Sequence, residues 1–104
     1  CSGGGQTKCL KFIPDNTAVI KDNLFDPPPI FKLIKQSSGS DDREMYQVFN
    51  MGCRMEIYTS ETFAETIIAE AKSFNIEARI IGRVEDTAAK KLTILTADSS
   101  IIYT

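Results

Sequence analysis

Three consecutive glycines, Gly3-Gly4-Gly5, stand directly ahead of a stretch that can turn as a short helix, Gln6 to Phe12, with Pro14 to end it. Glycines let backbone N–H groups come close to an anion, and a helix N-terminus adds a favourable dipole. The chemistry on offer is therefore phosphate binding. A loose loop explains three glycines equally well, and the motif alone does not separate the two readings. Two other stretches have the polar make-up of ligand contacts. Asn50-Met51-Gly52 joins a helix to a strand, where Asn and Gly are also ordinary helix-ending residues. Lys21-Asp22-Asn23 follows a strand end, where a solvated turn is equally at home. Arg54, Arg79 and Arg83 fall on outward strand faces and read as solvated or ion-paired.

The missing residue types narrow the chemistry further. The chain has no histidine, which removes the commonest general base and metal ligand and any Ser-His-Asp or Cys-His nucleophile. Its three cysteines, Cys1, Cys9 and Cys53, lack zinc-site spacing. Their odd number and the absence of C-x-x-C argue against a disulfide framework and for a reducing, cytoplasmic setting. Cys9 and Cys53 read as small buried apolar residues. No catalytic residue and no metal ligand is assigned within the chain. A net charge of −2 gives no basic face for nucleic acid or an anionic membrane. No apolar run approaches the roughly 20 residues of a membrane span.

The elements that would position these groups follow from periodicity. With 104 residues the chain is one domain or part of one. Thr17–Lys21 is short and β-branched, a strand. Asp26 precedes three prolines and can cap a helix whose first turn, needing no N–H donors, takes proline, and which runs to about Gln36, broken at Ser37–Ser40. Asp41 and Glu44 have capping-box spacing, with Met45, Val48 and Phe49 on one helical face and Gly52 as the left-handed stop. Residues 53–59 alternate, placing Cys53, Met55 and Ile57 inward and Arg54, Glu56 and Tyr58 outward.

Ser60 or Thr62 opens the longest helix. Its stripe of Phe63, Ile67, Ala71 and Phe74 reads as core, and Asn75 closes it. Strands at Ala78–Val84, Leu92–Thr96 and Ile101–Tyr103 follow, with a turn at Asp98-Ser99. The class is α/β or α+β, a mixed sheet with helices packed on it.

Order and spacing carry more than any single motif. Ser2-Gly3-Gly4-Gly5, Ala18-Val19-Ile20, Pro28-Pro29-Ile30-Phe31, a break at Gly39, the block Glu44-Met45-Tyr46-Gln47-Val48-Phe49-Asn50-Met51-Gly52, Met55 and Ile81-Gly82-Arg83-Val84 succeed one another. Over roughly residues 1–85 this resembles the C-terminal half of the phosphoribosylformylglycinamidine cyclo-ligases, or aminoimidazole ribonucleotide synthetases. The block from Glu44 to Gly52 is its most specific part. The chain departs from that pattern in having Arg54 where a glycine is usual, and in the pair Lys21-Asp22, which differs from the acidic pattern expected after that strand.

The resemblance implies that residues 1–104 are a single C-terminal domain fragment of that superfamily, lacking an N-terminal ATP-binding domain. It implies a parent enzyme that uses ATP and Mg²⁺ to convert formylglycinamidine ribonucleotide to aminoimidazole ribonucleotide in purine biosynthesis. The metal and nucleotide ligands would lie in the N-terminal domain, so the fragment alone would hold no cofactor and be inactive. Its partners would be its own N-terminal domain, a second copy of the parent in a homodimer, and the small ribonucleotide substrate. Gly3, Gly4 and Gly5 would present backbone donors to a phosphate, with Asn50 and Gly52 in the same cleft. Related ATP-binding enzymes (formylglycinamidine synthetase, selenophosphate synthetase, thiamine-phosphate kinase) and a stand-alone ligand-binding or interaction module are the alternative readings.

Overall fold

The computed structural model describes residues 5–53, 55–97 and 99–104. Its centre is a four-stranded mixed sheet of β1 (Thr17–Lys21), β2 (Gly82–Asp86), β3 (Lys91–Leu95) and β4 (Ser100–Tyr103), in spatial order β2-β1-β3-β4. β1 pairs antiparallel with β2 and parallel with β3, and β4 returns antiparallel along β3. A 3₁₀ helix (Gly5–Lys11) and three α-helices, α1 (Pro29–Ser38), α2 (Asp42–Val48) and α3 (Glu61–Ser73), complete an α+β fold.

Register explains the core. Val19 lies opposite Leu92 and Lys21 opposite Ile94, while Leu92 faces Tyr103 and Ile94 faces Ile101 across the next ladder. Side chains alternate along a strand, so these residues share one face of the sheet. Cys9 from the 3₁₀ helix, Met45 and Tyr46 from α2, and Met51 close over that face. Phe31 and Phe49 pack at its margin with ring centroids 5.9 Å apart. Leu92 and Ile94 are wholly removed from water, each contributing on the order of 1.5–3 kcal/mol.

The helix ends follow local chemistry. Asp41 caps α2, its Oδ1 accepting the Glu44 N–H at 2.9 Å. Ser60 stands at the N-cap of α3, and Asn75 (φ 59°) turns the chain just beyond its end. Two expected caps differ. Asp26 does not cap α1: Pro28 takes the N-cap position and Pro29 opens the helix, where its missing N–H leaves no bond unmade. α2 stops on an extended Phe49, and the left-handed residues Met51 and Gly52 form a separate turn after it. The inward face of α2 therefore carries Met45 and Tyr46, and Val48 is exposed.

The larger departures cluster in one region. Residues 53 and 55–59 are not in a strand, because no described strand lies alongside to take up their N–H and C=O groups. Cys53 is buried as expected, but Met55 is 77% exposed and Ile57 57%, while Glu56 turns inward. β2 begins only at Gly82, so residues 78–81 lie outside the strand, although the Ile81 carbonyl still accepts the Asp22 and Asn23 N–H groups. The α3 stripe is not core: Phe63 is 61% and Phe74 72% exposed, and α3 has no buried residue. The helix stands off the sheet across an open cleft, so its apolar side meets space where a packed layer was expected.

Candidate functional site

The polar centre of the molecule is a buried lysine. Lys21 is at the end of β1 on the same face as Val19, and only 2% of it is exposed. A buried ammonium persists only when its donors are met. All three are: Nζ donates to Gln6 O at 2.9 Å, to Gln6 Oε1 at 2.7 Å and to Glu56 Oε1 at 2.8 Å. This corrects the reading of Lys21 as part of a solvated turn and of Glu56 as outward. Asp22 and Asn23 do lie at the surface, Asp22 paired with Arg83 at 2.8 Å.

The network extends to both ends. The Tyr58 hydroxyl donates to Glu56 Oε2 at 3.1 Å. Partial burial and that carboxylate raise its phenol well above the ordinary range. Burial also pushes the Cys53 thiol up, with the Glu56 carboxylate adding to the effect. A protonated, enclosed thiol is a poor nucleophile, in keeping with a packing role. On the other side, Gln6 Nε2 donates to the Asn50 carbonyl at 2.6 Å.

That last bond ties two distant stretches together. Gly5, the first residue of the 3₁₀ helix, has φ +47° and lies against the main chain of Phe49. Asn50 Oδ1 accepts the Gly52 N–H at 2.8 Å, closing a small turn. Gly52 has φ +94°, and a Cβ there would stand 2.5 Å from Cδ of Pro28. Of the sequence-derived site residues, the structure thus brings Gly5, Asn50 and Gly52 into one neighbourhood. Gly3, Gly4 and Arg54 lie outside the described residues. With its oxygen engaged, Asn50 has its amide nitrogen to offer, a donor suited to an anion.

A cleft of about 540 Å³ opens beside this network, between the sheet and α3. Lys21 and Tyr58 stand at its wall, with Val19, Val84, Ile67 and Ile80 giving it an apolar lining. Arg83 at its rim is held by Asp22 and Glu85, and Arg79 lies over the Phe25 ring, 4.2 Å from its centroid. Both are engaged as expected, Arg79 also pairing with Glu77, but Arg79 precedes β2 and does not lie on a strand. Among the described residues no group of three His, Cys, Asp or Glu could hold a metal ion. No helix among them is long and apolar enough to cross a membrane.

A mixed four-stranded sheet with helices packed on it is consistent with an AIR synthase-like C-terminal domain. Residues 1–94 match the family model of the AIR synthase related protein, C-terminal domain, and the chain belongs to that family. It is 39% identical over 84 residues to the phosphoribosylformylglycinamidine cyclo-ligase of Methanocaldococcus jannaschii, covering 81% of this chain and 24% of that protein. Against the enzyme of the same name from Methanopyrus kandleri the identity is 35% over 83 residues, covering 80% of this chain and 24% of the other. For that of Oceanobacillus iheyensis it is 29% over 93 residues, covering 88% and 27%. The chain spans about a quarter of the length of the curated relatives it matches.

Proposed function

We propose that this chain serves an ATP-dependent cyclo-ligase that closes the imidazole ring of aminoimidazole ribonucleotide from formylglycinamidine ribonucleotide in purine biosynthesis. ATP would transfer its terminal phosphoryl group to the formyl oxygen, and the amidine nitrogen would close the ring as phosphate leaves. Such a transfer depends on positioning and on charge stabilisation. ATP and magnesium would be held by a separate N-terminal domain, in a homodimeric parent working in the cytoplasm.

The part given to this chain is anion binding. Gly3, Gly4 and Gly5 would supply backbone N–H donors to a phosphate of substrate or nucleotide. The Asn50 amide would donate from the facing turn, and Gly52 would let that turn approach closely. The observation that carries this reading is the bond from Gln6 to the Asn50 carbonyl, which joins the residue after Gly5 to the turn across 44 residues of sequence. Family membership supplies the chemistry.

Gly4→Ala and Asn50→Ala in the full-length enzyme test it. Loss of a phosphate donor should raise one Michaelis constant or lower turnover by tenfold or more, about 1.4 kcal/mol. Unchanged turnover with both Michaelis constants unchanged would remove these residues from the site.

A further inference from the structure

We infer that Lys21 is a positioning residue, whose ammonium fixes the exit of the glycine run against the turn that carries Asn50. The inference rests on the functional reading above and adds to it a residue that touches no substrate.

Of the three bonds that Lys21 Nζ donates, two go to one neutral residue, Gln6, and one of these to its main-chain carbonyl. Neutralising Glu56 needs only the third. An apolar side chain of similar length would fill this 2%-exposed space without desolvating a charge, and such replacements are often no less stable. What lysine adds is direction. It orients Gln6 so that Nε2 meets the Asn50 carbonyl at 2.6 Å. It also anchors the Gln6–Thr7 peptide through the Gln6 carbonyl, one residue beyond Gly5, itself seated on Phe49. One cation thus sets the spacing between the two loops expected to grip an anion. Glu56 holds that cation from the opposite side, on the stretch that lines the cleft. The groups facing Nζ are Gln6 and Glu56, with the Tyr58 hydroxyl behind the carboxylate.

The experiment uses the full-length protein with ATP and formylglycinamidine ribonucleotide. Lys21→Met alone leaves a buried carboxylate unpaired and can fail to fold, so the deciding variant is Lys21→Met/Glu56→Gln, which removes both charges. Folding is checked by circular dichroism and melting temperature. The expected result is a folded enzyme whose Michaelis constant for one phosphate-bearing substrate rises at least tenfold, while the other's changes less than twofold. Gln6→Ala should reproduce that split. A folded double variant with wild-type kinetics overturns the positioning role, as does an equal loss in every parameter. Absence of turnover in the wild type would instead overturn the functional reading on which the inference stands.

Discussion

Gly5 touches the main chain of Phe49: a Cβ on Gly5 would lie 2.5 Å from the Phe49 carbonyl oxygen and 2.7 Å from its nitrogen. Backbone cannot yield to such an approach as the end of a flexible side chain can. The 3₁₀ helix and the end of α2 meet here because position 5 carries no side chain.

Gly5→Ala and Gly39→Ala separate two costs. Both glycines have positive φ, +47° and +72°, but a Cβ on Gly39 meets nothing within 4 Å. Gly39→Ala should therefore lose only about 1–2 kcal/mol for the left-handed backbone. Gly5→Ala should lose clearly more and weaken the site with it. Equal losses in chemical denaturation would mean that the Phe49 contact relaxes without consequence.

The placement of α3 predicts opposite responses to two truncations. Leu92→Ala empties a fully buried position at the sheet centre and should cost about 2–5 kcal/mol. Phe74→Ala at a 72%-exposed position should stay within about 0.5 kcal/mol. A Phe74→Ala loss of core size would mean that α3 is packed in solution as its stripe first suggested.

The open cleft should be visible to a dye. Apolar lining on this scale ought to bind anilinonaphthalene sulfonate in the isolated 104-residue chain. Ile67→Glu should abolish the fluorescence while the melting temperature moves little. A dye-silent wild-type chain would show the cleft to be closed in solution.

Alkaline pH should destabilise the fold through Tyr103. Its hydroxyl donates to the Arg43 carbonyl, and burial pushes its pKa from 10.0 up to about 12. Between those values the unfolded chain has released the proton and the folded one still holds it, so stability falls as pH rises. Below pH 10 the contribution is fully present. Tyr103→Phe should melt lower than wild type at pH 8, by the loss of about 1 kcal/mol for one hydrogen bond, yet show a shallower decline from pH 10 to 12. Parallel melting curves across that range would remove Tyr103 as the cause.

Local chemistry was readable where the answer is local. Asp41 and Asn75 mark helix ends because a capping oxygen or a left-handed residue acts within one turn. β1, β3 and β4 stand within a residue of where β-branched runs placed them. Residues 53–59 and the α3 stripe were misread because alternation or a four-residue repeat reports an amphipathic element, not the presence of a surface to cover it. Lys21 was legible in part: in Thr17–Lys21 a period of two puts it on the face of Val19, which is buried. Its partner was not, since nothing local in Glu56 says that it will turn towards a cation 35 residues away. The neighbourhood of Gly5 with Asn50 likewise depends on α2 docking over the sheet, a long-range event.

The position of β1 at the interior of the sheet has a consequence for synthesis. Its two ladders are formed with Gly82–Asp86 and Lys91–Leu95, both late in the chain. As the polypeptide leaves the ribosome, β1 emerges before both of them and lacks these two partners until those strands follow. Pairings of such long sequence separation form slowly, and an unpaired β-branched strand is prone to self-association in the meantime. The buried charge of Lys21 at its end is a local guard against that, since a strand that must bury an ammonium stacks poorly on copies of itself.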